Sequence, residues 1–156
     1  MTGVQTCALP ISQNPDYAAV VMESIHDARI IPLDGRPHLP KNVRTWNGDS
    51  IGHYEGATLV VDTTNFSPMA NFLGAAGNLH LVERFTRVAP DEIRNEITVD
   101  DLTTWTKPWT LVLRLKRTEE KMYEVACHEG NFATIEVILS AARANDKAAA
   151  ASKPQK

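Results

Sequence analysis

The sequence predicts a mainly β fold: an antiparallel meander, curled into a barrel or half-barrel, with one C-terminal amphipathic helix. Three observations carry this. Between His80 and His128, four successive segments alternate apolar and polar residues at or near period two. Short turn sequences separate them, as antiparallel neighbours require. A single stripe at helical spacing then follows, made of Ile135, Ile138, Leu139 and Ala142. An open meander leaves two unpaired edges, and curling removes them, which is the ground for the barrel. A flat sheet with the helix packed on one face is the alternative.

The elements follow in chain order. Ala18 to Ile25 is an apolar, β-branched run and Arg29 to Leu33 is a second, with His26-Asp27 at a turn or bulge between them. Asp34 to Asn47 is rich in Pro and Gly and reads as a loop. Ile51 to Tyr54 and Thr58 to Thr64 flank Glu55-Gly56-Ala57, where Gly56 can supply the positive φ of a hairpin turn. Asn65 to Asn78 is irregular. His80 to Val88 and Glu92 to Asp100 flank Ala89-Pro90-Asp91, with Pro90 suited to the second turn position. Trp109, Leu111, Leu113 and Leu115 alternate with Thr110, Val112, Arg114 and Lys116, and Met122 to His128 makes the next strand. Asn131 is the expected N-cap of the helix. Residues 145–156 form an Ala/Lys-rich tail, read as frayed or disordered.

Met1 to Ile11 stands apart. It lacks the basic start and long apolar core of a secretory signal, and Pro10 interrupts any strand. Residue by residue it follows the translation of a common sequencing adapter read from a GTG start codon. The expectation is therefore that residues 1–11 are not native and that Cys7 has no role. Cys127 is then the one cysteine left, and no internal disulfide can form. Residues 13–144 are expected to be a single domain, large enough to bury a core.

The composition excludes some functions. The chain has 156 residues, with 16 Lys and Arg against 19 Asp and Glu, a net charge of −3. That balance argues against a general nucleic-acid binder, which carries a basic face. No apolar run approaches the roughly 20 residues of a membrane-spanning helix. There is no heptad pattern or internal repeat.

The runs "IHDARIIPLDGRPHLP", "GDSIGHYEGATLVVDTTNF", "NLHLVERFTRV" and "YEVACHEGN" look like a group of uncharacterised bacterial proteins. Members of that group are about twice this length and begin with a signal peptide. The resemblance covers nearly all of residues 13–144. It implies that the chain is the C-terminal half of an exported, periplasmic or secreted protein, whose N-terminal half is a partner in cis. It implies no particular activity. Ala57 departs from the Asp expected after Gly56, which bears only on the turn.

Four constellations could carry chemistry. Glu23, His26, Asp27 and Arg29 offer a histidine beside a carboxylate, the makings of a general base, or a polar turn with an ion pair. Cys127, His128 and Glu129 fall at a strand end, where sites are commonly built. No spacing of the H-x-x-x-H or C-x-x-C kind accompanies them or His80, so neither metal nor cofactor is assigned. Asp62, Glu83, Arg84, Asp100 and Asp101 form an acidic set. Asp62 shares a strand face with Val60 and Thr64, and Glu83 with Leu81 and Phe85, so each lines a cavity or pairs with a cation. Trp46, Tyr54, Trp105, Trp109 and Tyr123 suit a pocket wall or a core equally. Asn65-Phe66-Ser67 matches the N-glycosylation pattern, which carries no weight in a bacterial protein.

The leading expectation is a small-molecule-binding β domain, with Asp62, Glu83, Trp105, Trp109 and Tyr123 around the ligand. The alternative is a cofactor-independent enzyme whose acid–base residues come from His26, Asp27, His128 and Glu129, with Asp62 or Glu83 as partner. A structural or partner-binding module is the third reading.

Overall fold

The computed structural model describes residues 11–22, 27–119 and 140–141. Eight strands run through them: β1 (Ile11–Gln13), β2 (Tyr17–Met22), β3 (Asp27–Pro32), β4 (Asp49–Glu55), β5 (Thr58–Thr64), β6 (His80–Ala89), β7 (Glu92–Asp100) and β8 (Trp109–Lys116). They form two antiparallel meanders, β1-β2-β3 and β4-β5-β6-β7-β8. All eight lie in one compact unit, Met1–Tyr123; of the second unit, Glu124–Lys156, only Ser140 and Ala141 are described.

The mainly β, antiparallel character follows from the alternation. The closed barrel does not form: the described strands make two separate sheets, with no ladder joining β3 to β4. The intervening segment explains the break. Pro37 and Pro40 lack the N–H that a ladder needs, so the chain cannot carry strand pairing through this loop. It leaves the first sheet at Pro32 and re-enters pairing at Asp49. The single flat sheet is excluded for the same reason. The strand expected at Met122 to His128 and the tail 145–156 lie outside the described residues, as does the C-terminal helix apart from Ser140 and Ala141. Of the stretch read as adapter only Ile11 is described; it pairs with Val20 at the edge of the smaller sheet.

Turn chemistry sets the registers. Gly56 has φ of 60° between β4 and β5, as the sequence predicts for that hairpin. Pro90 and Asp91 join β6 to β7, where the ladder shifts register between Arg87 and Ala89. Pairing then runs Ser50↔Thr63↔Leu81↔Val99↔Trp109 across the larger sheet, which places these residues on one face.

That face meets the smaller sheet. Ala18, Val20 and Ile31 pack against Leu59, Val61 and Phe85 as one buried cluster. The approach is close enough to require a glycine. A Cβ on the buried Gly52 would lie 2.8 Å from Ile31 Cγ2 and 3.0 Å from Leu33 Cδ2. At the other end of the face a second cluster forms from Phe66, Ala75, Leu79, Leu81 and Val99, with Trp105 and Trp109 packed beside it. The irregular segment between β5 and β6 supplies three of those five side chains.

Gly52→Val tests the fit between the sheets. The overpacked interface is expected to lose about 1–3 kcal/mol of stability, read as a lower urea midpoint. An unchanged midpoint would show that the sheets can part there without cost.

Candidate functional site

One concave surface is built by two tight turns. In the first, Gly48 N donates to Thr45 O at 3.4 Å and Thr45 Oγ1 donates to Gly48 O at 2.8 Å, leaving Trp46 and Asn47 at the tip. Gly48 has φ of 71°, and a Cβ there would sit 2.7 Å from both Thr63 Cγ2 and Thr64 O, so only glycine fits. Thr45 is also bridged to the chain after β5: its N–H donates to Asn65 O at 3.1 Å, and its carbonyl accepts from Ser67 N at 2.7 Å. Trp46 is thus carried on a fixed backbone while its side chain remains 64% exposed.

The second turn presents Phe72. Its N–H and carbonyl exchange hydrogen bonds with Ala75 at 2.8 and 2.9 Å. Leu73 and Gly74 between them both have positive φ, 52° and 96°, as a type I′ turn requires. Asn71 Oδ1 accepts from Gly74 N at 2.9 Å and braces the loop. From the smaller sheet comes Asp27, whose carboxylate accepts from Asn47 Nδ2 and from Ala28 N. Together Asp27, Trp46, Asn47, Phe66, Asn71 and Phe72 line an open groove of about 740 Å³. A second groove of about 330 Å³ shares Asp27, Trp46 and Asn47 and runs on past Arg29, Thr45 and Ser50.

The structure distributes the residues singled out by sequence. Asp27 lines both grooves, and Trp46 stands between them. Trp105 and Trp109 instead pack on each other edge to face, with centroids 5.5 Å apart at 74°, beside the second core cluster. Neither groove reaches them. His26, His128, Glu129 and Tyr123 lie outside the described residues, as do Glu23 and Cys127. Glu83 points between the sheets and pairs with Arg29 of β3. This is a cross-sheet pair, the pairing with a cation that its place on a half-apolar strand face suggests. Both partners are largely buried, and Arg29 Nε finds no acceptor among the described residues. Arg84, on the opposite face, pairs with Glu55 at 2.5 Å. Asp101 braces the turn after β7: Thr103 Oγ1 donates to it, and that bond with the Thr103 amide holds its carboxyl below the ordinary range.

Asp62 joins a cluster only partly visible in the sequence. His80 Nε2 lies 3.0 Å from both of its oxygens, and His38 Nε2 lies 3.0 Å from Oδ1. His38 Nδ1 faces Asp49 Oδ2 at 2.8 Å, and Leu39 N donates to that same oxygen at 2.8 Å. With one ring nitrogen on each of two carboxylates, His38 clasps the proline-rich loop onto β4 and β5. Asn65, the residue of the glycosylation pattern, adds to the clasp, its buried amide donating to Leu39 O at 2.8 Å. At the start of the same loop the Arg36 guanidinium beside Asp34 holds that carboxyl down to about 2. A histidine within reach of a carboxylate is what an acid–base site needs, but it is His38 and His80 that meet Asp62. None of these groups lines either of the two grooves. No set of three or more His, Cys, Asp or Glu among the described residues could hold a metal ion.

His38, Asp49, Asn47, Asn71 and Phe72 escaped the sequence reading. All but Asp49, the first residue of β4, lie in loops, where spacing carries no periodic signal. The one cue was the density of Pro, Gly and Asn between residues 34 and 48, which marks a turn-rich segment without saying what it covers.

Two outcomes are expected. Glu83→Ala strands a buried guanidinium and should cost about 3–5 kcal/mol, whereas Arg29→Met with Glu83→Leu should restore most of the loss; urea unfolding of both variants decides it. His38→Ala should cost about 1–3 kcal/mol by removing its hydrogen bonds to Asp49 and Asp62, with faster amide exchange at Leu39 in particular. Exchange at Leu39 equal to that of the wild type would remove the clasp.

Compared with protein-family models, with curated proteins and with solved structures, the chain matches none of them.

Proposed function

We propose that this chain is a small-molecule-binding β domain of an exported bacterial protein, with the ligand seated in the groove at Trp46. One observation carries the reading: an indole two-thirds exposed, on a backbone fixed by a glycine turn and a strand-like bridge. An exposed indole forgoes burial worth on the order of 3 kcal/mol at about 25 cal/mol per Å². A ligand laid on it recovers that term, and the fixed backbone spares the ordering cost of binding. The aromatic floor with a few polar groups at its rim is the usual make-up of a ligand site. The export assignment rests on the sequence resemblance.

The acid–base enzyme is the second reading, favoured by Asp62 lying between two histidines with its side chain and that of His80 more than a third exposed. It requires a substrate outside the groove.

Screening the intact chain against a small-molecule library by thermal shift and intrinsic fluorescence separates the two. Groove ligands are expected to lose binding in Trp46→Ala and keep it in His80→Ala. Hits that ignore Trp46 would overturn the groove reading.

A further inference from the structure

We infer that the ligand of this groove is a carbohydrate: a neutral oligosaccharide with one ring stacked on Trp46. The inference rests on the groove being a ligand site and adds the class of ligand.

The lining chemistry points there. A pyranose ring has an apolar C–H face of about the breadth of an indole, and hydroxyl groups around its rim. Trp46 offers a flat, exposed surface for the first. Asn47, Asn71 and Asp27 offer planar donors and acceptors for the second, at the edges of the same groove. Both amides are braced by other bonds, Asn47 to Asp27 and Asn71 to Gly74, so their free valences have set directions.

Charge narrows the choice. The larger groove has no cationic side chain among its described lining, and its one charged group is the acid Asp27. A phosphate or carboxylate would meet repulsion there. Arg29 of the smaller groove is committed to Glu83. A quaternary ammonium ligand needs several aromatic faces converging on it. Phe66 is only 7% exposed and offers little face. A wholly apolar ligand would need an enclosed cavity, and this groove is open to water.

Extent adds to the argument. The grooves of about 740 and 330 Å³ meet at Asp27, Trp46 and Asn47, so room continues on both sides of the indole. That is the form of a site for several linked rings, in which each hydroxyl not bound by protein stays hydrated.

The test is calorimetric and fluorescence titration of the full chain with cello-, malto-, laminari-, xylo- and chito-tetraose. Inorganic phosphate and tetramethylammonium serve as comparison ligands. At least one tetrasaccharide is expected to bind and to quench Trp46. Trp46→Ala should weaken it at least tenfold, Trp46→Phe less, and Asn47→Ala or Asn71→Ala about three- to tenfold. His80→Ala should leave it unchanged. Because the indole is exposed, Trp46→Ala is expected to keep the wild-type unfolding midpoint, which separates lost binding from lost folding. If a library compound binds through Trp46 but no saccharide does, the carbohydrate class falls and the groove stands. If phosphate or tetramethylammonium binds through Trp46 instead, the class also falls. If nothing binds in a Trp46-dependent way, both readings fall together.

Discussion

The seating of Ile31 over Gly52 governs the arrangement of this domain. Two sheets that share no ladder are held face to face chiefly by what their inner sides bury, and a close approach falls where the larger sheet has no side chain. Packing of this kind tolerates little extra volume, because the interior is already near crystal density. It also fixes where the first residue of β3 emerges. Asp27 stands at that end, within hydrogen-bond reach of Asn47 on the loop. Sheet packing and groove geometry are therefore one problem.

Two polar devices work inside this frame. The Arg29–Glu83 pair spans the sheets where apolar residues would serve stability as well or better, since desolvating two charges offsets much of their attraction. What it adds is a restriction on register: the charges meet only in one alignment of β3 against β6. The Asp49–His38–Asp62–His80 cluster acts on the other face. It ties down a loop that cannot pair as a strand because of its prolines. Between them, these contacts and the Thr45 bridge leave the Trp46 turn little freedom.

A hydrogen-bonded turn that carries an exposed indole is a combination that suits recognition. The two core tryptophans show the other use of the residue: Trp105 and Trp109 turn edge to face and cover the second cluster. One residue type thus divides between packing and display according to whether its backbone lies against the sheet or at the tip of a turn.

What the sequence by itself determined is the set of β7 and its neighbours: period-two alternation assigns Ile97 and Val99 to one face and places the Gly56 and Pro90 hairpins within a residue or two. These are local matters, decided by φ preferences and by side chains alternating along a strand. The sequence alone grouped Asp62 and Glu83 around one ligand, whereas the register puts them on opposite faces of the sheet. Which partners those acids would find was beyond it. Glu83 meets a residue 54 positions away, and Asp62 is approached by His38 from 24 positions away. The groove is equally non-local, since Asp27, Trp46 and the pair Phe66 and Phe72 come from three separate stretches. Only tertiary structure decided between a closed barrel and two packed sheets. Alternation tells a strand that it has a buried face, and it is silent about which surface will bury it.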